Sequence, residues 1–149
     1  MKQTLADRRN LRRYTGDDTI RTPSAIYHQL DREFHFTMDV AADADNHLAP
    51  AWFDERKDGL MQDWAPRTVF CNPPYSNIGP WIRKALRESK RGATCVLLLP
   101  VRTDLAWFHE CALEGEVRFI RGRLQFENTP RRGSAPHASM LVIFRPGGA

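Results

Sequence analysis

Phe70-Cys71-Asn72-Pro73-Pro74-Tyr75-Ser76 is the stretch on which the architecture turns. Ahead of it, Thr68-Val69-Phe70-Cys71 is a short β-branched and aromatic run, which predicts a buried strand. Behind it, Ile78, Trp81, Ile82, Ala85 and Leu86 recur at the spacing of a helix with one apolar stripe over 79–91. Pro80 suits the first turn of that helix, and Gly92 stands where a C-terminal cap belongs. The Asn-Pro-Pro-Tyr corner is therefore expected between a strand's carboxyl end and the next helix. Open α/β sheets bind their ligands there.

The residue types of the corner point to amino-group chemistry. Two consecutive prolines carry no amide protons and fix φ, so the loop is stiff and its carbonyls face outward. Asn72 adds a side-chain carbonyl close to that of Pro73, and together the two can accept both protons of one planar amino group. An exocyclic amine on a ring is a poor nucleophile, because its lone pair is delocalised into the π-system. Accepting both N–H bonds favours a pyramidal nitrogen and stabilises charge as it develops. Tyr75 offers a flat face for an unsaturated ring. A rigid turn with no ligand is the plainer account of Asn-Pro-Pro alone; Tyr75 and the flanking strand and helix favour an amino-group methylation loop.

Working outward, Thr94-Cys95-Val96-Leu97-Leu98-Leu99-Pro100 is a continuous apolar run, the pattern of a central parallel strand. Thr103 or Asp104 is expected to cap a helix carrying Leu105, Phe108 and Ala112 and stopped near Gly115, with His109 structural within it. Val117 to Ile120 and Met140 to Phe144 predict two more strands. Upstream, Thr22-Pro23 reads as an N-cap and first-turn proline opening a helix with Ile26, Tyr27 and Leu30 on one side. Phe34 to Val40 alternates as a strand ending near Asp39. A carboxylate at a strand end followed by small residues (Ala41, Ala42, Ala44) suits a cationic nucleoside cofactor, although an acidic turn without ligand has the same sequence. No full strand is assigned over 52–64, and the crossover between Asp39 and Asn72 is short for a βαβ unit.

The 149 residues make one domain with a net charge of +4. We divide the chain into a basic arm at 1–19 and a single domain at 20–146. The arm holds Lys2, Arg8, Arg9, Arg12 and Arg13 against Asp7, and either orders on a polyanion or frays in solvent. No apolar run approaches membrane-spanning length and the N-terminus lacks an h-region, so a soluble, unsecreted protein is expected. Cys71, Cys95 and Cys111 form no CxxC pair; buried reduced thiols are the expectation, and no metal. The segment at about 121–139, with Arg121, Gly122, Arg123, Phe126, Arg131 and Arg132, reads as a long loop whose arginines and amides suit DNA phosphates and base edges.

The order of these motifs resembles a family. Thr22-Pro23, Met38-Asp39-Val40-Ala41-Ala42, Asp58-Gly59-Leu60 with Asp63-Trp64, Asn72-Pro73-Pro74-Tyr75, Leu99-Pro100-Val101-Arg102-Thr103-Asp104 and Gly122-Arg123-Leu124-Gln125-Phe126 follow one another as in the phage-type DNA adenine-N6 methyltransferases, the Dam family of phages. The Gly-rich motif of most folds in that class is absent. The resemblance implies an abbreviated Rossmann-like S-adenosylmethionine-dependent methyltransferase fold, an α/β domain with a mostly parallel sheet and helices on both faces. It implies a site-specific enzyme acting on double-stranded DNA, encoded by a phage or prophage and working in the host cytoplasm, as monomer or homodimer. Carried over, Asn72, Pro73, Pro74 and Tyr75 hold the adenine; Thr22, Pro23, Asp39, Ala41 and Asp63 border the cofactor; Arg121, Arg123, Arg131 and Arg132 face DNA. Cytosine-N4 and protein-glutamine methyltransferases share the Asn-Pro-Pro-Tyr loop, and a non-catalytic DNA-binding protein on this fold is the rival from another class.

Overall fold

In the computed structural model, residues 21–126 and 137–148 are described; the basic arm, Arg131 and Arg132 lie outside them. One six-stranded sheet forms the centre, in the order β2-β1-β3-β4-β6-β5, with β1 at Met38–Asp39, β2 at Ala51–Trp52, β3 at Thr68–Cys71, β4 at Thr94–Pro100, β5 at Glu116–Phe119 and β6 at Ser139–Phe144. Strands β2, β1, β3 and β4 run parallel. Strand β6 is antiparallel to both β4 and β5, so β5 shares the common direction. Three α-helices lie among the described residues: α1 at Ser24–Phe34, α2 at Ile78–Lys90 and α3 at Ala106–Glu110.

Alternation along the strands builds two cores. Val69, Cys71, Cys95, Leu97, Leu99, Met140, Val142 and Phe144 pack with Ile78, Trp81, Ile82 and Ala85 of α2 and with Trp107 and Phe108 of α3. Their neighbours Phe70, Val96, Leu98, Leu141 and Ile143 point the other way, onto Tyr27 and Leu30 of α1. Strands covered on both sides read as unbroken apolar runs, which is why β4 and β6 were visible in the sequence. The apolar stripe of α2 is the one expected, and the helix stops before Gly92, whose φ of +117° favours a residue without Cβ.

Four expectations are corrected. Phe34 closes α1 rather than opening a strand; His35 adopts φ 57°, the Phe36 amide donates to Asp31 Oδ1 at 2.8 Å, and only Met38–Asp39 pairs as strand. Thr22 does not cap α1, which Pro23 precedes with no side-chain cap bond. The helix after β4 spans only Ala106–Glu110, starting after Leu105 with no side-chain cap bond while Asp104 pairs with Arg102, and tightens into a 3-10 turn at Ala112–Glu114 before Gly115. Strand β5 begins one residue earlier than expected and ends before Ile120. The short β1–β3 crossover is as anticipated: it holds only β2 and a 3-10 turn at Gly59–Met61.

Candidate active site

The chain leaves β1 for β2 on one side of the sheet, and leaves β3 for β4 on the other. The carboxyl ends of β1 and β3 are thus the point where the winding reverses, the place where open α/β sheets bind their ligands. Asp39 ends β1 and lies opposite Phe70 of β3, so Asn72 starts its loop just beyond, beside it. The Val40 amide donates to the Phe70 carbonyl at 3.1 Å and extends this pairing toward the rim.

The corner itself is only partly covered. Asn72, Pro74 and Tyr75 are partly buried, Pro73 is buried and Ser76 is exposed. Asn72 Nδ2 donates to Thr22 Oγ1 at 3.0 Å, which joins the loop to the start of α1. The Tyr75 hydroxyl donates to the Leu98 carbonyl of β4 at 3.3 Å, and its ring meets Phe126 edge-on. Asn77 donates its amide back to the Pro74 carbonyl at 3.0 Å, closing the turn before α2.

Asp39 is 5% exposed, and no lysine or arginine among the described residues pairs with it. Burial pushes its carboxyl up to about 7, against the pull of the Ala41 and Leu48 amides and of nearby His47. The Ala41 amide approaches Asp39 Oδ1 at 3.4 Å. His47 donates from Nδ1 to the Ala49 carbonyl at 2.8 Å and stacks on Trp52 with centroids 3.7 Å apart. A buried carboxylate of this kind suits a ligand that brings its own positive charge.

Asp63 is not part of this group. Its carboxylate is 74% exposed and accepts from Arg91 at 3.0 Å, where α2 ends. Trp64 and Arg67 beside it belong to the amino-terminal edge, where the Thr94 amide donates to Arg67. The 13-residue length of α2 puts about 20 Å between that edge and Asn72. Pro23, by contrast, anchors α1 beside the corner, its carbonyl accepting the Tyr27 amide at 3.2 Å.

Arg121 and Arg123 are exposed just past β5, on the same carboxyl rim. The loop that follows is not wholly solvent-facing: Leu124 and Phe126 are 9% and 4% exposed and pack on the α1 face of the sheet. Sequence reasoning named no role for Phe126, although an aromatic in a polar loop was a signal. It also passed over Arg102 and His137. Burial, then the charges of Arg102 and Arg123, hold the His137 imidazole below its ordinary value against the opposing charge of Asp104. Among the described residues no cluster suits a metal ion, and no helix is long and apolar enough to cross a membrane.

A mixed α/β sheet with a buried carboxyl and an amide–aromatic corner at its winding reversal places the candidate site where open α/β sheets bind ligands. Comparison with known proteins narrows the class. The family model described as DNA N-6-adenine-methyltransferase (Dam) matches residues 10–148. A DNA N-6-adenine-methyltransferase of Haemophilus phage HP1 is 29% identical over 133 residues, covering 84% of this chain and 77% of that protein. One of Escherichia phage T1 is 28% identical over 108 residues, 66% of this chain but only 45% of the T1 protein. The chain belongs to the DNA N-6-adenine-methyltransferase (Dam) family.

Proposed function

We propose that this DNA adenine methyltransferase takes its methyl group from S-adenosylmethionine, on a Rossmann-like frame, and delivers it in line to N6 of an adenine turned out of double-stranded DNA. The observation that carries the reading is the adjacency of Asp39 and Asn72 at the ends of neighbouring strands, on either side of the winding reversal. When bound, S-adenosylmethionine supplies an electrophilic methyl on a sulfonium. Asp39 suits its cationic portion, and Ala41 allows close approach of backbone; Thr22 and Pro23 border the same pocket.

The remaining work belongs to the corner. Asn72 and Pro73 present oxygens to the two N6 protons, which localises the nitrogen lone pair and stabilises charge developing on the amine. Pro74 holds the loop stiff, and Tyr75 stacks on the purine that has left the duplex. Extrusion costs a few kcal/mol, roughly, offset by stacking and edge contacts. Arg121 and Arg123 on the rim, with Arg131 and Arg132 outside the described residues, contact phosphates. Family membership favours adenine over cytosine-N4 or glutamine as acceptor, and methyl transfer over a purely DNA-binding role.

Incubating the protein with methyl-labelled cofactor and duplex DNA, then digesting to nucleosides, tests the reading. N6-methyldeoxyadenosine is the expected product, and Asn72→Ala should lower its formation by about a hundredfold or more, the scale of losing one preorganised electrostatic partner. Near-normal turnover by a folded Asn72→Ala protein defeats the assignment.

A further inference from the structure

We infer that Thr22 is a positioning residue for the reaction, setting which end of the Asn72 amide faces the base. This rests on the adenine reading of the Asn72 corner. A carboxamide has two unlike ends: its oxygen accepts, whereas its nitrogen carries two donors. Turned the wrong way, Asn72 would oppose its own N–H groups to the N6 protons, and the corner would repel the amine it is built to hold. The chemistry therefore depends on an amide orientation that Asn72 cannot fix by itself.

The structure places the fixing group across the fold. Asn72 Nδ2 donates to Thr22 Oγ1 at 3.0 Å, a bond that joins positions 50 residues apart in sequence. Thr22 is 8% exposed, so water competes little for that bond. It is also held in place, because the next residue anchors α1 through the Pro23 carbonyl and the Tyr27 amide at 3.2 Å. Tyr27 and Leu30 in turn bury that helix on the sheet beneath the corner. The result is nitrogen toward α1 and oxygen away from it. A threonine that only lined the cofactor pocket would not need to meet this nitrogen. A hydroxyl can also donate, so Thr22 acts together with the shape of the turn and the other contacts of Asn72, and its removal weakens the preference for this orientation.

The test uses the full chain with duplex DNA, measuring single-turnover methyl transfer at saturating S-adenosylmethionine, cofactor Kd by calorimetry, and Tm. Thr22→Val, which keeps the shape and removes the hydroxyl, should slow transfer about tenfold, the scale of one lost hydrogen bond to a side chain that holds the reacting amine. Cofactor Kd should stay within about threefold, and Thr22→Ser should restore transfer to within about threefold of the parent. In an Asn72→Asp background, whose carboxylate ends are alike, Thr22→Val should cost less than about threefold. If Asn72→Asp is inactive, the Val and Ser pair decides. If Thr22→Val unfolds, Thr22→Ala takes its place. Weakened cofactor binding with unchanged transfer would overturn the inference in favour of a simple pocket wall, as would full activity of a folded Thr22→Val protein. Absence of N6-methyldeoxyadenosine from the unsubstituted protein would instead defeat the functional reading beneath it.

Discussion

The ring of Phe126 stands edge-on to that of Tyr75, with centroids 6.2 Å apart and planes at 80°. Phe126 reaches this position from a segment 51 residues further along, and is itself 4% exposed. An edge contact of this kind contributes about 0.5–1.5 kcal/mol beyond burial and fixes the plane of the partner ring. The Tyr75 hydroxyl on Leu98 and its packing against both cores hold the rest of the side chain. Phe126→Leu is expected to lower kcat/KM for DNA by about fivefold, mostly through KM, with cofactor affinity unchanged. Steady-state kinetics over a range of duplex concentrations checks it; a fall in Tm with no change in KM would reduce Phe126 to packing.

Why Asn72 was legible and Phe126 was not follows from how each is placed. The corner is local: strand, two prolines and helix are consecutive, so Thr68 to Gly92 carried its own structure in pattern and punctuation. The buried strands β4 and β6 were legible for the same reason, as runs apolar on both faces. Ala51–Trp52 was not, and Met38–Asp39 was read only as the end of a strand drawn too long from Phe34, because two-residue strands are specified by their pairing, β2 with β1 and β1 with β3, and not by propensity. Asp63 misled because Asp-Trp punctuation looks the same at either edge of a sheet. Its place is settled by Glu88 and Arg91 at the far end of α2, contacts that no spacing announces. Gly59 lies in a 3-10 turn, and a Cβ there would lie 2.1 Å from the Val40 carbonyl oxygen, so the turn's close approach to the chain just past β1 requires a residue without Cβ.

Arg121 and Arg123 give the salt dependence of DNA binding a residue-level expectation. Each phosphate neutralised by a cationic side chain contributes about −0.9 to the slope of log K against log salt. Arg121→Ala and Arg123→Ala should each flatten that slope by roughly one while leaving the methylated sequence unchanged. Fluorescence anisotropy with a labelled duplex from about 50 to 200 mM salt measures this. Unchanged slopes in both variants would remove the rim from the DNA face.

Glu88 holds the segment ahead of β3 onto α2. It is 2% exposed; Oε2 accepts the Trp64 and Ala65 amides at 3.1 and 3.0 Å, and Oε1 accepts Lys84 at 3.1 Å and Arg91 at 2.9 Å. Burial alone would raise its carboxyl, but the Ala65 amide, Lys84 and the Trp64 amide outweigh burial and lower it to about 2. A depressed acid stabilises the fold above its ordinary value of 4.5, and that stabilisation fades as pH falls from there toward 2. Glu88→Ala, which leaves Lys84 and two amides without their buried acceptor, should cost about 3–5 kcal/mol in urea unfolding. The stability of Glu88→Gln should fall less steeply than that of the parent between about pH 5 and 3. Equal acid slopes would show that this carboxylate is not the group responsible.

Asp39 works in the opposite sense. Burial first of all raises its carboxyl from 3.8 to about 7, so between those values the folded protein keeps a proton that the unfolded chain has lost. Stability therefore falls as pH rises through that window. Asp39→Asn, which keeps an oxygen for the Ala41 amide, should remove this slope and raise Tm near pH 8, at roughly 2–4 °C for each kcal/mol recovered. On the proposed reading, in which Asp39 answers the cofactor's positive charge, the same substitution should weaken S-adenosylmethionine binding by about tenfold or more. In the parent protein the cation favours ionised Asp39, so affinity should climb between about pH 5.5 and 7.5 and binding should release a proton below 7. Calorimetry in two buffers of unlike ionisation enthalpy reads that proton directly. Affinity that is flat with pH and free of proton release would separate Asp39 from the cofactor, whatever the variant's Tm.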